Sequence, residues 1–505
     1  MSVAPSTAAN SRRWPMLVVV ATLLAYLPAL RAGYVWDDDY YVTQNLLLRE
    51  VSGLWRIWVP GQTPQYYPVV FLTFWLEYQL WQLEPFGYHL TNVLLHAANA
   101  LLLARLATRL MLPWPWALAA VFALHPVHVE SVAWITERKN VLSTFGYLLA
   151  ALAWFRFDAS RGDGEPRPWR HYPAVVLWFL FALLAKTVTC SLPAALILLH
   201  VWRRDRLDAR RLLPLLPLFA LGVVLALHTA HLERTQVGAD GADFAWTFVE
   251  RTWIAGNALA FYAGKLVWPW PLIFFYPRWQ LDIADVSGWW PVALCALVAL
   301  GALFAFARGR RGPAVALAFF AGSLFPALGY FNVYPMLYSF VADHFQYLGS
   351  LGVLALLVAA FRRLVQRVPG ARWLGGAVLV ALGALTFHRC FAFADEETLW
   401  RDTIAQNPNA WMAQNNLACL EMDRGELGAA LVRLRQAAEL VTSNKERGRI
   451  ARNIARVLSR LGRFQEEYEV LDRAQREVGG CEMRLARSLE RLGRDDEALP
   501  WYERA

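Results

Sequence analysis

The stretch from Pro115 to Phe157 reads PWALAAVFALHPVHVESVAWITERKNVLSTFGYLLAALAWFRF, in which two apolar runs flank a polar segment. The runs at about 115–134 and about 140–157 are each long enough to cross a hydrocarbon core roughly 30 Å thick. Ionisable side chains inside a bilayer are rare unless they are paired, solvated or functional. The stretch therefore predicts two membrane spans joined by a polar tip that carries chemistry.

The same apolar pattern extends over most of the chain. Apolar runs recur from Trp14 to about Phe393, and residues are 57% hydrophobic but only 18% charged, against about 25% charged in ordinary soluble domains. After Asp395 the runs stop and charged residues become frequent. We therefore predict an all-α chain with a polytopic helical membrane domain at 1–393 and a second domain at 394–505.

Arginines suggest how the membrane domain is oriented. Short loops rich in Arg or Lys face the cytoplasm, so Arg12 and Arg13 place the start of a first span at about 15–32 inside. The apolar stretch at 252–273 is broken by two prolines and is predicted to be re-entrant or interfacial. This scheme gives about eleven crossings and places 394–505 outside the cytoplasm.

The net charge of +9 is accounted for by these loops and does not indicate nucleic-acid binding. The five cysteines are scattered without a CxxC motif, which gives no disulfide framework and no zinc site. The positively charged, apolar N-terminal segment lacks a convincing cleavage site and is interpreted as a signal anchor.

An external loop at 33–87 follows the first span and begins with three consecutive acids, Asp37, Asp38 and Asp39. A carboxylate here could act as a general base or bind a divalent cation, or it could be a solvated residue marking the span end. The rest of the loop is rich in Trp, Tyr and Phe and is interrupted by prolines, so we predict amphipathic helices on the outer leaflet.

The polar tip contains two candidate cations, Arg138 and Lys139, which suit a phosphate because they form charge-assisted hydrogen bonds. His125, His128 and Glu130 accompany them, although this spacing is a weak metal signal. The alternative is a polar tip with snorkelling cations.

Polar residues elsewhere could line the same cavity. His89, Asn92 and His96 share a helix face, and the alternative for them is hydrogen bonding between helices. Lys186 is a stronger candidate for a functional residue, because a lysine in a bilayer needs an anion. Two further residues, Asp343 and His344, precede a late span.

The C-terminal domain repeats a pattern of two amphipathic segments around a glycine, at Gly425, Gly462 and Gly493. The spacing brackets the tetratricopeptide period of about 34 residues, which predicts two to three helical repeats. Such repeats bind a peptide or protein on a concave surface. The alternative is a docking or stabilising appendage.

Together these features resemble bacterial relatives of the transmembrane and tetratricopeptide-repeat O-mannosyltransferases, which have the GT-C glycosyltransferase fold. The resemblance rests on the Asp-Asp after the first span, GYHLTNVLLH at 87–96, HPVHVESVAW at 125–134, Lys-Thr at 186–187 and the repeats. It covers almost the whole chain, and the string at 125–134 is its most specific part.

The resemblance implies an inverting enzyme that uses a polyprenyl-phosphate sugar, such as a mannose donor, outside the cytoplasm of a bacterial inner membrane. It implies a catalytic base at Asp37 or Asp38 and places Glu130 and Arg138 in the donor or acceptor site. The repeats would bind a protein or peptide acceptor. No cofactor is certain beyond the lipid-linked sugar, and a divalent cation is left open.

Three motifs depart from the animal members of that family. Tyr66-Tyr67-Pro68 stands where they typically have Tyr-Arg-Pro, and Glu137-Arg138-Lys139-Asn140 stands where they have Gly-Arg-x-Asp. The common Asp-Arg-Tyr is here Asp343-His344-Phe345. Lys139 and Lys186 could compensate for the lost basic groups. The rival function is a non-enzymatic membrane scaffold whose repeats recruit envelope proteins.

Overall fold

The computed structural model describes residues 13–162, 166–239, 241–368 and 370–505. Over these residues the secondary structure is helical without any β-strand, which confirms the all-α prediction. Arg12, used in the topology prediction, lies outside the described residues. The fold divides into two compact units, the first formed by the described residues of Met1–Leu272, Gln280–Met336 and Phe340–Glu396.

The first half of this unit contains eight helices that we label along the chain. They are α1 Arg13–Ala25, α2 Pro68–Trp81, α3 Pro85–Arg109, α4 Pro115–Leu124, α5 Val129–Ala133, α6 Arg138–Gly162, α7 Tyr172–Ala185 and α8 Leu192–Arg203. Two single-turn helices, Gly53–Arg56 and Ala209–Leu212, are left unlabelled. The remaining helices of the unit are α9 Leu216–Leu232, α10 Phe248–Val267, α11 Trp290–Ala307, α12 Gly312–Leu324, α13 Ser350–Arg367 and α14 Ala371–Cys390.

Four helical segments in the described residues are long and apolar enough to cross a membrane: Pro85–Arg109, Ala209–Thr235, Val286–Ala307 and Ala371–Phe393. A fifth candidate is the pair Pro115–Leu124 and Pro126–Ala133, which is bent by 55°. Shorter apolar helices include Arg13–Ala25, Thr187–Arg203 and Gly312–Ala327. The predicted count of about eleven crossings stays a prediction, because several predicted spans are short or interrupted helices.

Two of these interruptions bring polar residues to the candidate site. Helix α4 ends before Pro126, which cannot donate a backbone hydrogen bond, and the chain becomes extended at His125 and again at Trp134. Helix α6 then begins at Arg138. Similarly, α7 ends at Ala185, and Lys186 adopts an extended conformation (φ −162°, ψ 123°) before the next helical turn.

The aromatic loop is packed into the protein more deeply than an interfacial helix would be. Val70, Phe71 and Phe74 of α2 are fully buried in a cluster that also contains Ile135 and Leu142. Burying side chains of this size contributes about 1.5–3 kcal/mol each. The loop therefore forms part of the core beside the polar tip, although Leu76 and Leu80 on the same helix remain exposed.

The second unit comprises Ile273–Trp279, Leu337–Ser339 and Glu397–Ala505. Its helices are α15 Glu396–Gln406, α16 Trp411–Asp423, α17 Leu427–Leu440, α18 Asn444–Arg460, α19 Phe464–Glu477, α20 Glu482–Arg491 and α21 Asp495–Arg504. From α16 onward they form three consecutive hairpins. Each hairpin turns at a glycine with positive φ, at Gly425, Gly462 and Gly493.

Candidate functional site

Asp38 joins the external loop to the polar tip. It is completely buried, and its two carboxylate oxygens accept hydrogen bonds of 2.9 Å from the backbone N–H groups of Val35 and Thr136. Burial raises the pKa of Asp38 to about 7, although both backbone hydrogen bonds oppose that shift. The bond to Val35 is local to the loop, and the bond to Thr136 holds the acidic loop against the polar tip.

Asp37 has a different environment from its neighbour. It is half-buried, and among the described residues no hydrogen bond or ion pair holds its carboxylate. The pKa of Asp37 is raised to about 6, chiefly by burial. Glu137 also raises this pKa, whereas Lys139 and His344 lower it. A carboxylate with such a pKa is ionised at neutral pH and is able to accept a proton.

The backbone before Asp37 is strained. Trp36 has a φ of +46°, a conformation that costs a non-glycine residue about 1–3 kcal/mol. Its ring stacks on Trp134, with centroids 5.4 Å apart and planes inclined by 23°. This stack holds the start of the acidic run against the polar tip.

Glu137 is the centre of a buried ion cluster. Its carboxylate lies 2.8 Å from the Lys139 ammonium and 3.5 Å from the Lys186 ammonium, and it accepts a hydrogen bond of 2.5 Å from the Asn140 amide. Lys186 also donates to the Asn140 Oδ1 atom at 2.7 Å. The opposite charges around Glu137 hold its pKa well below the usual range, despite its burial.

His344 extends this cluster towards Glu130. Its Nδ1 atom lies 2.5 Å from Glu130 Oε1, and its Nε2 atom lies 3.9 Å from Glu137 Oε1. The backbone carbonyl of His344 accepts a hydrogen bond of 3.0 Å from Asn140. Its neighbour Asp343 is buried in the same helical turn, Asp343–Gln346.

Lys139 lies between aromatic rings. Its Nζ atom is 5.4 Å from the centroid of Tyr41 and 5.5 Å from that of Trp134, within cation–π range. Glu137 is its ion-pair partner, and an ammonium group has three donors. Lys139 therefore keeps donors for an anion that enters beside Asp37.

Arg138 is fully buried and makes only internal contacts. Its guanidinium donates to Asn92 Oδ1, to Thr73, to Glu77 and to the Tyr88 carbonyl. The ion pair to Glu77 is 2.8 Å long. This geometry favours a role in holding α2, α3 and α6 together over the predicted contact with a phosphate.

The predicted histidines also bond to the protein interior. His125 Nε2 contacts the Leu266 carbonyl at 3.1 Å, and His128 contacts the Phe122 carbonyl at 2.8 Å and Ser350 at 3.0 Å. His89 lies 3.2 Å from the Gly33 carbonyl, and His96 lies 2.7 Å from the Tyr347 hydroxyl. The contacts of His89 and His96 fit the hydrogen-bonding alternative for their helix face, and His125 and His128 are likewise bonded to protein groups.

Within the described part of the chain, one group of three side chains has metal-ligand spacing: Asp158, His200 and Asp205, with ligand atoms within 4.8 Å of one another. It lies near the opposite end of α6 from Arg138. Trp154 donates to His200 Nε2 at 2.9 Å, and His200 Nδ1 lies 2.7 Å from Asp205. Because both ring nitrogens are engaged, we interpret this group as a hydrogen-bond network.

Sequence reasoning missed the importance of two carboxylates. Glu77 falls within the predicted interfacial helices, yet it is the single acid of α2 and is buried. A buried charge requires a partner, and that requirement was the available signal. Glu137 is next to the predicted cations in sequence, and in the structure it binds both Lys139 and Lys186.

The chain is thus a helical protein with membrane-length apolar segments and a buried ion cluster beside an acidic loop. No family model matches it. Its relatives include protein O-mannosyl-transferase Tmtc2 of Drosophila melanogaster, 32% identical over 206 residues, which are 37% of this chain and 22% of the relative. Protein O-mannosyl-transferase TMTC2 of Homo sapiens is 30% identical over 204 residues, 38% of this chain and 24% of the relative.

Protein O-mannosyl-transferase Tmtc1 of Drosophila melanogaster is 34% identical over 174 residues, covering 32% of this chain and 19% of the relative. These matches confirm that the chain is related to the transmembrane and tetratricopeptide-repeat O-mannosyltransferases. The chain spans about a quarter or less of the length of the curated relatives it matches.

Proposed function

We propose that the chain is an inverting glycosyltransferase that moves a hexose, mannose first among the candidates, from a polyprenyl-phosphate donor to a hydroxyl of a protein or glycan. The names of its relatives support sugar transfer to protein. The observation that carries the proposal is the contrast between the two acids. Each oxygen of Asp38 accepts a backbone hydrogen bond, whereas the Asp37 carboxylate has no hydrogen bond or ion pair among the described residues and lies near Lys139.

In the proposed step, Asp37 takes the proton of the acceptor hydroxyl. The acceptor oxygen forms a bond to C1 of the sugar while the bond between C1 and the phosphate oxygen breaks, and the electron pair leaves with the polyprenyl phosphate. A single displacement inverts the configuration at C1. The pKa of about 6 lets Asp37 act as a base near neutral pH.

Lys139 and Lys186 would bind the donor phosphate and stabilise the charge that develops on it as it leaves. The Glu137 carboxylate keeps both ammonium groups beside the site, and His344 links it to Glu130. Arg138 and Asp38 are positioning residues in this scheme, since their polar atoms bond to protein groups.

The wider architecture is part of the proposal. The apolar helices would form a GT-C-type bundle of about eleven crossings, in a bacterial inner membrane, with the acidic loop on the periplasmic face. The three hairpins of the second unit would be tetratricopeptide repeats that present a protein acceptor. Their glycine turns and antiparallel helix pairs support that interpretation.

The experiment combines purified protein with radiolabelled polyprenyl-phosphate sugars, beginning with mannose, and measures sugar release or transfer. The variant Asp37→Asn/Asp38→Asn is assayed beside the wild type. Turnover that is lost in the variant supports a glycosyltransferase and identifies its donor. Absence of turnover with every donor, together with capture of an envelope protein by the repeats, supports the scaffold instead.

A further inference from the structure

Four arginines of the second unit, which we call the arginine cluster, lie on two neighbouring helices. Arg452 and Arg456 are one turn apart on α18, and Arg484 and Arg487 are one turn apart on α20, so each pair shares a face of its helix. Arg456 and Arg487 are exposed, and the other two are half-buried. Residues 397–505 are all described, and within them no hydrogen bond or ion pair engages these four guanidinium groups.

The packing of α18 against α20 brings the two pairs together. Ala455 of α18 and Leu485 of α20 belong to one buried cluster. Each of these residues is next to an arginine of the cluster in sequence, so the guanidinium groups border the contact between the helices. Burial lowers the pKa of Arg484, and the positive charges of the other three arginines lower it further. The four charges therefore repel one another.

Most other arginines of the second unit are ion-paired. On α18 itself, Arg449 lies 3.1 Å from Glu446. Glu467 is within electrostatic range of Arg484, but it is paired with Arg491 at 3.1 Å. Like charges one turn apart destabilise a helix. An anion bound at the arginine cluster would remove this repulsion, which the rest of the unit avoids by pairing.

Side-chain amides continue the polar face from α18 to α16. Asn453 lies between Arg452 and Arg456 in sequence, and its Nδ2 atom donates to Asn415 Oδ1 at 2.9 Å. Asn415 Nδ2 donates in turn to Asn416 Oδ1 at 3.1 Å. Asn416 is half-buried, and its amide nitrogen makes no hydrogen bond in the described part of the chain. It therefore keeps two donors for a backbone carbonyl of a ligand.

The spacing within the arginine cluster matches an extended peptide. Residues four apart on a helix are separated by about 6 Å along its axis, which is the separation of Arg452 and Arg456. Alternate residues of an extended chain are about 6.6 Å apart and point to the same side. The planar guanidinium group also matches a carboxylate in shape. Acidic residues at alternate positions of a peptide can therefore each meet one arginine.

We propose that the arginine cluster binds an acidic segment of a protein in an extended conformation, with Asn416 donating to its backbone. The inference rests on the proposed function, in which the repeats present a protein acceptor, and it names the chemistry of that protein. A peptide is long enough to contact both arginine pairs and the amides of α16. One lipid phosphate is not, because packed helices are about 8–10 Å apart.

The test measures peptide binding to the full chain in phosphatidylcholine nanodiscs by fluorescence anisotropy. One labelled peptide alternates Glu with Ser, and its control alternates Gln with Ser at the same length. The variant Arg452→Gln/Arg484→Gln removes one charge from each helix, whereas Arg473→Gln/Arg476→Gln makes the same charge change on α19. Losing charge-assisted hydrogen bonds should weaken binding of the Glu peptide about tenfold in the first variant and less than about twofold in the second.

Thermal unfolding of the same samples separates binding from a structural role. The first variant relieves repulsion, so it should unfold at a temperature no lower than the wild type. Arg456→Gln/Arg487→Gln, on the exposed members of the cluster, repeats both measurements. Destabilisation by both cluster variants would overturn the inference, as would equal affinity of the wild type for the Glu and Gln peptides. Equal loss of affinity in the cluster and α19 variants would also overturn it.

Two further outcomes separate this inference from its alternatives. A wild type that binds glycerophosphoglycerol, the headgroup of phosphatidylglycerol, but neither peptide would overturn it in favour of a lipid surface. Sugar release from the lipid-linked donor is measured on the same preparation. Sugar release by a protein that binds neither peptide would overturn this inference alone. Selective binding of the Glu peptide without sugar release or transfer would support the acidic-peptide site and count against the proposed enzyme.

Discussion

Arg138 and Glu77 form an ion pair of 2.8 Å in which both side chains are almost completely removed from solvent. Arg138 begins α6 and Glu77 lies in α2, so the pair fastens the external loop to the polar tip. The guanidinium also lies over the ring of Phe74, 5.0 Å from its centroid. The position of the acidic loop therefore depends on a buried pair outside the reacting groups.

Removing the charge of one partner in this ion pair should destabilise the folded protein. Glu77→Gln or Arg138→Met should each lower the free energy of unfolding by about 3–5 kcal/mol, because each disrupts a buried ion pair. The double variant Arg138→Met/Glu77→Leu should recover part of that loss, since it removes both charges. Thermal unfolding of the four proteins in one detergent measures the coupling, and additive losses would contradict it.

The pH dependence of transfer should report the Asp37 carboxylate. Its pKa is raised to about 6, so the ionised base is lost below that pH. The value of kcat/KM should rise with pH through about 6 and level off above about 7. Acid-side profiles of the wild type, corrected for protein stability at each pH, check this expectation.

Two substitutions should move that profile in opposite directions. Lys139 lowers the pKa of Asp37 and Glu137 raises it. Lys139→Met should therefore shift the acid limb, the part of the profile where kcat/KM rises with pH, to higher pH. Glu137→Gln should shift it to lower pH. Shifts in the same direction, or a limb unaffected by either change, would show that another group controls the profile.

Lys139 should also determine donor affinity. Removing an ammonium that contacts a phosphate costs charge-assisted hydrogen bonds, so Lys139→Met should raise the donor KM at least tenfold. Lys445→Met is the control, because Lys445 is an exposed lysine of the second unit. Similar KM values in the wild type and the Lys139 variant would remove this lysine from phosphate binding.

An alanine should destabilise a helical hairpin when it replaces the glycine of the turn, but not when it replaces a glycine within a helix. Gly425 has a φ of +84°, and a side chain there costs about 1–2 kcal/mol. Gly428 is the second residue of α17 and has open space around it, so Gly428→Ala should stabilise by about 0.5 kcal/mol, the lower end of the value for a glycine in the middle of a helix. Hydrogen exchange across 411–440 in the full chain should therefore accelerate in Gly425→Ala and slow in Gly428→Ala.

Hydropathy and glycine spacing are local signals, and they predicted local structure well. The all-α fold, the helical hairpins around Gly425, Gly462 and Gly493, and a polar tip between apolar segments follow from residues close together in sequence. Span counting was less reliable, because the predicted span at about 115–134 forms a helix that is broken at His125.

The partners in the buried ion pairs could not be predicted from the sequence. Arg138 pairs with an acid 61 residues away, and His344 with Glu130, 214 residues away. A hydrophobic pattern indicates which face of a helix is buried, but it does not indicate which distant residues contact that face. Likewise, nothing in three consecutive aspartates distinguishes Asp37 from Asp38, because the distinction depends on the Thr136 backbone N–H.

The central claim is that Asp37 is the base and Asp38 is a positioning residue. The most direct measurement is single-turnover transfer by Asp37→Asn, with donor binding measured on the same sample. Asp39→Asn is the matched control, because Asp39 accepts a hydrogen bond from Thr43 in the adjoining turn. We predict that Asp37→Asn binds the donor as the wild type does but transfers at least a hundredfold more slowly, whereas Asp39→Asn transfers normally. Wild-type transfer by Asp37→Asn would contradict the claim.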